Sequence, residues 1–368
     1  MFKINGKYSS AAVYAADAED YAIAQIQAIC DSEAAEGSKI CIMPDVHPGK
    51  VGPIGLTMTI GSKIMPSLIG IDIGCGISYR CLKSKKVEFQ KLDRVIRERV
   101  PSGFQLRKEP HHLSGTFDFD RLLCKRHIDE ERARLSLGTL GGGNHFIELE
   151  RDDEGNLYAV VHSGSRHLGK EVTEFYLREG QRRMKATGLD VPYELTCLEG
   201  QLMEDYLHDL MEVEAFAALN RKIILDELER NMKWKATAFG ESVHNYVDEN
   251  RILRKGAAAA YEDREVIIPV NMKDGVIFGK GKGNLGWNYS APHGGGRIMA
   301  RGDVKKSHTL SEYRKLMSGI HSPSINKETL DEAPFAYRGI EEILSAIKDT
   351  VTVEEVMRPV YNYKAGSR

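Results

Sequence analysis

The chain has 368 residues, of which 42% are hydrophobic and 28% charged, a composition typical of a globular protein with a large core. Its net charge of −2 excludes a uniformly basic surface, so any nucleic-acid contact has to be made by a local patch. The six cysteines lack CxxC spacing, the first residues lack the apolar segment of a secretion signal, and no run is long enough to cross a bilayer, so we expect a cytoplasmic protein without a disulfide scaffold or a membrane partner.

The first part of the chain shows helix and strand patterns in alternation. Residues 17–36 carry a helical mix of Ala, Ile, Gln and Glu that stops at a glycine, and residues 39–43 form an apolar run typical of a strand. The polar turn 44–49 follows that strand, where functional loops are common. The apolar run 64–73 predicts a buried strand that leads into a glycine-rich turn.

The rest of the chain predicts an α+β fold. We expect helices at 87–99, 117–135, 198–234 and 340–349, a strand at 157–161, and a Gly/Lys loop at 275–286. The charges of the 198–234 segment predict a solvated helix face. Because no repeat, low-complexity tract or linker divides the chain, we expect one mixed domain over residues 1–368, with a helical insertion at about 170–235.

Five candidate metal ligands stand at turns or strand ends. Asp72 and Cys75 are three positions apart in Ile-Asp-Ile-Gly-Cys-Gly, where the glycines let both side chains converge. A buried carboxylate and thiolate repel each other unless a cation lies between them. Three further strand-like segments carry His145, His162 and His244. Five ligands exceed one tetrahedral site, so the set predicts two adjacent ions with a bridging thiolate, and ligand softness favours zinc. Taken singly, each histidine is better explained as a hydrogen-bonded structural residue.

Glycine-rich loops and arginines supply candidate phosphate sites. The triple glycines at 141–143 and 294–296 free backbone N–H groups to form anion-binding nests. Arg166, Arg297 and Arg301 can bind phosphates through paired donors. No GxxxxGK[ST] loop is present, so a P-loop fold is not indicated.

His293 is a candidate nucleophile. It stands between a proline and the second triple glycine, and a neutral imidazole among anion donors can attack phosphorus to form a phosphoramidate. A metal-binding or supporting role fits the same spacing. His47, in the 44–49 turn, either borders the site or stabilises its loop.

Seven motifs together resemble the RtcB family of GTP-dependent RNA ligases. They follow family order from about residue 40: MPDVH at 43–47, GIDIGCG at 70–76, GGGNHFIE at 141–148, HSGSR at 162–166, HNYV at 244–247, HGGGR at 293–297, and Arg358-Pro359 with Lys364. As a set they are highly specific. The chain departs from the common pattern in its shorter length and in PVNM at 269–272, where many members have PGSM.

The resemblance implies packed β-sheets around a dinuclear site whose metal is manganese rather than zinc. Cys75 would bridge the two ions, with Asp72 and His145 on one ion and His162 and His244 on the other. The following residues would bind GTP: Asn144, His145, Phe146, Ile147, Glu148, His244, Asn245, Pro269, Val270, Asn271, Met272, His293, Gly294, Gly295, Gly296 and Lys364. Within that set, Glu148 and Lys364 would read the guanine, and His293 would be the guanylylated nucleophile.

The implied reaction joins an RNA 3′-phosphate, or a 2′,3′-cyclic phosphate after its hydrolysis, to a 5′-hydroxyl through a His–GMP intermediate and a guanylylated RNA end. The substrates would be broken tRNA or rRNA, in RNA repair or tRNA splicing, and some relatives use an archease-type activator. Arg166, Arg297 and Arg301 would bind RNA phosphates, which makes binding salt-sensitive. Two alternatives are a metal-dependent phosphoesterase that opens cyclic phosphates without sealing, and a non-enzymatic GTP- or RNA-binding paralogue. His293 and Lys364 count against the first, and the complete ligand set counts against the second.

Overall fold

The computed structural model describes residues 1–365. Its strands are β1 Phe2–Asn5, β2 Ser10–Val13, β3 Ile40–His47, β4 Ile54–Thr59, β5 Lys63–Ile64, β6 Gly76–Leu82, β7 Phe146–Arg151, β8 Leu157–Ser163, β9 Leu198–Glu199, β10 Ala236–Val243, β11 Asn245–Val247, β12 Ile252–Lys255, β13 Ala257–Ala259, β14 Glu265–Asn271, β15 Gly275–Gly281, β16 Ser290–Pro292 and β17 Val351–Lys364. Its α-helices are α1 Asp20–Cys30, α2 Phe89–Arg99, α3 Glu130–Ser136, α4 Arg166–Ala186, α5 Gly200–Met232, α6 Arg301–Ser307, α7 Leu310–Leu316 and α8 Ile340–Ala346.

The predicted α+β class is confirmed, and so are most of the predicted elements. Helices α1, α2, α5 and α8 lie within the predicted helical segments, and β8 contains the predicted strand at 157–161. Strand β3 continues through most of the 44–49 segment that we expected to be a turn. Helices α4 and α5 lie in the chain between β8 and β10, where the helical insertion was expected. The single domain over 1–368 stays a prediction, and its last three residues lie outside the described part.

The predicted buried strand at 64–73 is wrong. Strand β5 ends at Ile64, a 3-10 turn that begins with proline occupies Pro66–Leu68, and Gly70 has a φ of 88°. The proline and the left-handed glycine interrupt the extended backbone. The apolar side chains up to Ile69 are therefore buried along an irregular segment, whereas Ile71, next to Asp72, is half exposed.

Two further element predictions are wrong. Residues 117–135 form short 3-10 turns and the short helix α3, because Asp118 and Asp129 cap separate turns and divide the segment. The expected loop at 275–286 begins with strand β15, which pairs with β14 and β17. Within it, Gly279 lies close to the Thr352 backbone, so this glycine allows a close strand approach instead of a loop.

Two sheets form the framework. One has the order β1-β2-β3-β4-β12-β11, and the other has the order β10-β6-β8-β7-β17-β15-β14. The second sheet curls until its edge strands β10 and β14 contact each other, and Tyr79 on β6, next to β10, donates a hydrogen bond of 2.8 Å to Glu265 on β14. An apolar cluster that includes Ile77, Phe146 and Val276 fills the interior of this barrel-like sheet.

One rim of the barrel-like sheet collects the motif residues. Neighbouring antiparallel strands run in opposite directions, so the start of one strand lies beside the end of the next. Gly76 at the start of β6 pairs with Ser163 and Val243 at the ends of β8 and β10. Phe146 at the start of β7 pairs with Lys364 at the end of β17. Segments far apart in sequence therefore meet at this rim, which these five residues define.

Helix α5 supports the rim from outside the barrel. Its Arg221 is fully buried and donates hydrogen bonds to the Gly74 carbonyl at 2.7 Å, the Ser163 carbonyl at 3.1 Å and the Ser78 hydroxyl at 2.8 Å. The interpretation of the 198–234 charges as a solvated face is wrong for this residue and for Asp209, which is also buried. Among residues 1–365, no helix combines the length and apolarity needed to span a membrane.

We predict that Arg221→Met lowers the free energy of unfolding by about 3 kcal/mol, because it leaves buried acceptors without their donor. Lys222→Met on the same helix is the matched control. Lys222 is exposed and pairs with Asp226 at 2.7 Å, so its loss should cost less than about 0.5 kcal/mol. Urea denaturation of both variants measures the difference, and equal losses would contradict a supporting role for Arg221.

Candidate metal and nucleotide site

Five side chains converge at the rim around one thiol. The Cys75 Sγ lies 3.3 Å from His145 Nε2 and 3.2 Å from His162 Nε2. Asp72 Oδ2 lies 3.0 Å from His145 Nε2, and His244 Nε2 lies 3.2 Å from His162 Nε2. The ligand atoms form two triads, Asp72–Cys75–His145 and Cys75–His162–His244, each with all atoms within 4.8 Å of one another. The structure thus groups the predicted ligands into two sets that share Cys75.

The chemistry of these donors fits divalent cations. Burial lowers the pKa of His162 and of His244 well below the usual range, so both imidazoles are neutral, which is the form that binds metal. Burial, with the neighbouring Asp72 carboxylate, raises the pKa of the Cys75 thiol well above its usual value. A bound cation reverses that last effect, because a coordinating thiol is deprotonated. The donor set therefore fits two metal ions with a shared thiolate.

Neighbouring groups orient the histidines. His162 Nδ1 lies 3.1 Å from the Asn144 carbonyl oxygen, so its proton is on Nδ1 and Nε2 faces the thiol. A Cβ at Gly141 would overlap the imidazole of His145. The first triple glycine therefore makes room for a ligand ring, a role that the sequence did not distinguish from an anion nest.

His293 lies beside the second triad, on the loop after β16. Its Nδ1 is 2.8 Å from Asp45 Oδ2, and its ring centroid is 4.8 Å from that of His244. The carboxylate keeps the proton on Nδ1 and leaves the Nε2 lone pair available as a nucleophile. The Gly295 N–H donates to the Pro269 carbonyl at 3.1 Å, and a Cβ there would overlap the Val270 carbonyl oxygen. The second triple glycine thus packs the loop against β14.

A cavity of about 230 Å³ opens next to His293. Its lining includes the following residues of the predicted GTP set: Asn144, Phe146, Glu148, Pro269, Val270, Asn271, Met272, His293, Gly294, Gly295, Gly296 and Lys364. Four members of that set lie elsewhere. His145 and His244 belong to the triads, Asn245 bonds to the Asp72 carbonyl and the Gly256 N–H, and Ile147 is buried in the core on the other face of β7. Strand alternation separates Ile147 from Phe146 and Glu148, so its side chain does not line this cavity, and its place in the GTP set stays a prediction.

The polar end of this cavity carries paired charges. Lys364 Nζ lies 3.2 Å from Glu332 Oε2, and the Tyr337 hydroxyl also donates to this carboxylate. The Glu148 carboxylate, 3% exposed, accepts a hydrogen bond from the Asn362 amide. Buried Lys364 therefore lies between two carboxylates, and this end of the cavity can both donate and accept hydrogen bonds.

The three arginines predicted to bind RNA phosphates differ in their surroundings. Arg297 is largely buried and donates to Glu332 at 3.0 Å and to the Tyr337 hydroxyl at 2.9 Å. Arg301 is half exposed and pairs with Asp331 at 2.7 Å and with Glu332. Arg166 donates to Thr139 Oγ1 at 3.0 Å and to the Gly103 carbonyl at 2.5 Å. Arg297 is thus committed to protein partners, whereas Arg301 keeps access to solvent.

A second cavity, of about 490 Å³, opens on the other side of the triads. It is lined by Ile71, Asp72, Gly103, Phe104, Leu106, Arg132, Ser136, Gly142, Gly143, His145, Arg166, His167, Lys170 and Arg301. Asp72 and His145 face this cavity, whereas His162 and His293 face the first one. Arg301 borders both. The two triads therefore lie between a cavity lined by His293 and a cavity lined by several basic groups.

Sequence reasoning missed three residues of the site. Asp45 was part of a recognised motif but received no role, and its partner His293 lies 248 positions away. Glu332 and Tyr337 lie in a segment with no motif, and nothing in the sequence pointed to them. His47 lines the first cavity, and burial lowers its pKa to about 4, which favours the alternative that it borders the site as a neutral imidazole.

Comparison with known proteins gives the same family across most of the chain. Residues 25–365 match the family described as tRNA-splicing ligase RtcB. The RNA-splicing ligase RtcB1 of Escherichia coli (strain ATCC 25922) is 28% identical over 370 residues, covering 87% of this chain and 88% of that protein. The RNA-splicing ligase RtcB of Escherichia coli K12 is 27% identical with the same coverage, and the tRNA-splicing ligase RtcB of Pyrobaculum aerophilum is 26% identical over 420 residues, covering 86% and 85%.

Proposed function

The chain belongs to the RtcB family, and we propose that it is an RNA ligase that joins a 3′-phosphate or 2′,3′-cyclic phosphate end to a 5′-hydroxyl end through a His293–GMP intermediate. The observation that carries this proposal is the position of His293. Its ring lies between the two-triad cluster and a cavity whose far end carries Glu148 and Lys364, and Asp45 fixes its tautomer.

Two manganese ions would be held by the two triads, with the Cys75 thiolate shared between them. When bound, they would offset negative charge on the phosphate oxygens and so make phosphorus more electrophilic. The neutral form of His162 and His244 suits this role, because no proton has to leave either ring.

His293 would perform the first step. Its Nε2 lone pair attacks the α-phosphorus of GTP, a P–N bond forms, the bond to the β-phosphate oxygen breaks, and pyrophosphate leaves. Asp45 accepts the Nδ1–H hydrogen bond throughout and offsets the positive charge that develops on the ring. An oxygen of the RNA 3′-phosphate then attacks the same phosphorus, the P–N bond breaks, and GMP passes to the RNA. Finally the 5′-hydroxyl attacks the activated 3′-phosphate and GMP leaves.

Glu148 and Lys364 would give the specificity for guanine. A carboxylate can accept from the N1–H and the exocyclic amine of guanine, whereas adenine offers an acceptor at N1 and would repel it. Lys364 supplies a donor for the guanine carbonyl oxygen, and its contact with Glu332 holds it at the end of the cavity.

The second cavity would receive the RNA ends. Arg166 and Arg301 line it together with Lys170, and half-exposed Arg301 also reaches the first cavity, which suits a phosphate that moves between the two. The substrates would be broken tRNA or rRNA in RNA repair or tRNA splicing, in the cytoplasm, with an archease-type activator as a further candidate partner.

The test of this function is the intact mass of the protein after incubation with Mn²⁺ and GTP. We expect one added GMP on the wild type and none on His293→Ala. His308→Ala is the control, because this histidine stacks on Phe335 outside both cavities and should leave the adduct unchanged. Absence of an adduct on metal-loaded wild type would contradict the ligase mechanism and favour a phosphoesterase.

A further inference from the structure

A second carboxyl group lies behind Glu148, deeper in the barrel-like sheet. Glu150 is two residues further along β7, so both side chains point to the same face, toward the barrel interior. Glu150 is completely buried and does not line either cavity. Glu148 therefore lines the first cavity, and Glu150 lies behind it in the protein interior.

Among residues 1–365, no cation or N–H group pairs with Glu150. Neither of its oxygens accepts a hydrogen bond from a donor in the described part of the chain, and the polar group within its reach is the Glu148 carboxylate. Its other surroundings are close-packed, since a Cβ at Gly275 would lie 2.9 Å from its Oε2. Burial and the Glu148 charge raise the pKa of Glu150 well above its usual value. Because a buried charge without a cation or donor is costly, the Glu150 carboxyl group favours its neutral form and can then donate its proton in a hydrogen bond.

The other polar groups around Glu148 and Glu150 form hydrogen bonds or ion pairs with partners other than Glu150. On β8, the Tyr158 hydroxyl lies 3.4 Å from Asp152, and on β17 the Asn362 amide donates to Glu148. Lys364 from β17 and Tyr313 from α7 interact electrostatically with Glu148. Glu332, from the turn before Ala333, pairs with Lys364, and Tyr79 contacts Tyr158 and donates to Glu265. Lys364 and Asn362 favour an ionised Glu148, but neither bonds to Glu150.

We propose that Glu150 is a positioning residue for nucleotide recognition: its neutral carboxyl group donates a hydrogen bond to Glu148 and keeps Glu148 ionised and aimed into the cavity. This inference rests on the proposed function, in which Glu148 reads guanine. A carboxylate accepts the two guanine N–H groups only when it is ionised, and burial raises the pKa of Glu148. The proton on Glu150 opposes that effect, since a hydrogen bond to the charged form favours it.

The test is the pH dependence of GMP binding to the metal-loaded protein, measured by calorimetry between about pH 6 and about pH 8.5. Affinity should fall as the pH drops through the pKa of Glu148. In Glu150→Leu the donor is lost, the pKa of Glu148 rises, and the midpoint moves to higher pH, so affinity at pH 7 falls about tenfold and recovers at the alkaline end. Glu150→Gln keeps an N–H donor and should keep the wild-type midpoint.

The proposal would be overturned if the midpoint of the pH dependence in Glu150→Leu stayed in place or moved to lower pH. An unchanged midpoint would mean that Glu150 does not affect the ionisation of Glu148, and a lower one would mean that Glu150 is itself the ionised group. Infrared spectroscopy gives a second readout that needs only the near-isosteric variant. Near pH 7 the wild type should show one more carbonyl band of a protonated buried carboxyl group than Glu150→Gln. The difference spectrum cancels the bands of other protonated carboxyl groups, such as Glu214, whose pKa burial raises to about 8. A difference spectrum without this band would overturn the proposal. A wild type that binds no GMP contradicts the proposed function instead, and the infrared result still decides the protonation of Glu150.

Discussion

Replacing Cys75 with alanine is expected to remove both metal ions from the protein. Replacing a ligand that belongs to a single triad is expected to remove one ion. Cys75 Sγ belongs to both triads, so its loss leaves Asp72 with His145 and His162 with His244, two ligands on each side. Two protein ligands are too few for a tightly held divalent ion in a buried site. The Asp72→Ala variant keeps the second triad intact and should therefore keep one ion.

This expectation is checked by loading each variant with Mn²⁺, dialysing it, and measuring the bound manganese by elemental mass spectrometry. The wild type should retain about two ions per chain, Asp72→Ala about one and Cys75→Ala close to none, in line with the number of intact triads. Cys81→Ala is the matched control, since Cys81 is a free thiol on β6, the strand that directly follows Cys75, and belongs to neither triad. Two ions on Cys75→Ala would show that the thiol does not bridge.

The convergence of the five candidate metal ligands could be predicted because each of them has a metal-binding side chain and stands at a turn or a strand end. Asp72 and Cys75 flank a glycine turn, and the histidines lie at ends of apolar segments, so residue type and position pointed to one site. The division into two triads was not predictable from the residues alone. It depends on the pairing of β6 with both β8 and β10, which places Cys75 between His162 and His244. The resemblance to a family supplied that division, and the register gives its physical reason.

The errors in the predicted secondary structure arose where tertiary packing, which a local sequence pattern does not encode, determines the path of the backbone. The apolar run at 64–73 has the composition of a buried strand, but Pro66 and the left-handed Gly70 force an irregular path. The glycines of 275–286 suggested a loop, yet Gly279 is needed because β17 approaches closely. Strand period would have excluded Ile147 from the cavity, because Phe146 and Glu148 already occupy that face.

The supporting residues of the site were the least predictable part. Glu332 was not recognised, although it is buried and accepts hydrogen bonds from Arg297 and Tyr337. Its pKa is lowered to about 2 although burial opposes this, because Lys364 and two arginines face it. Such a network depends on contacts between the 3-10 turn at 330–332, α6 and the end of β17, which only tertiary structure reveals.

Replacing Asp45 with asparagine is expected to slow formation of the His293–GMP adduct by on the order of 10³-fold while GTP affinity changes little. Asp45 is fully buried, lies 2.8 Å from His293 Nδ1 and does not line the nucleotide cavity. An amide removes the charge that stabilises the cationic ring, and it can turn its NH₂ group toward Nδ1, which places the proton on Nε2. The attacking lone pair is then lost, although the geometry of the cavity is kept.

Single-turnover guanylylation, followed by intact mass over time, measures the rate of the chemical step, and calorimetry with GMP measures binding. Metal content of Asp45→Asn should equal that of the wild type, because Asp45 belongs to neither triad. His293→Ala sets the baseline without adduct. A rate for Asp45→Asn within about threefold of the wild type would show that the carboxylate only packs against the ring, whereas a loss of rate with intact binding and metal content assigns it to the orientation of the nucleophile.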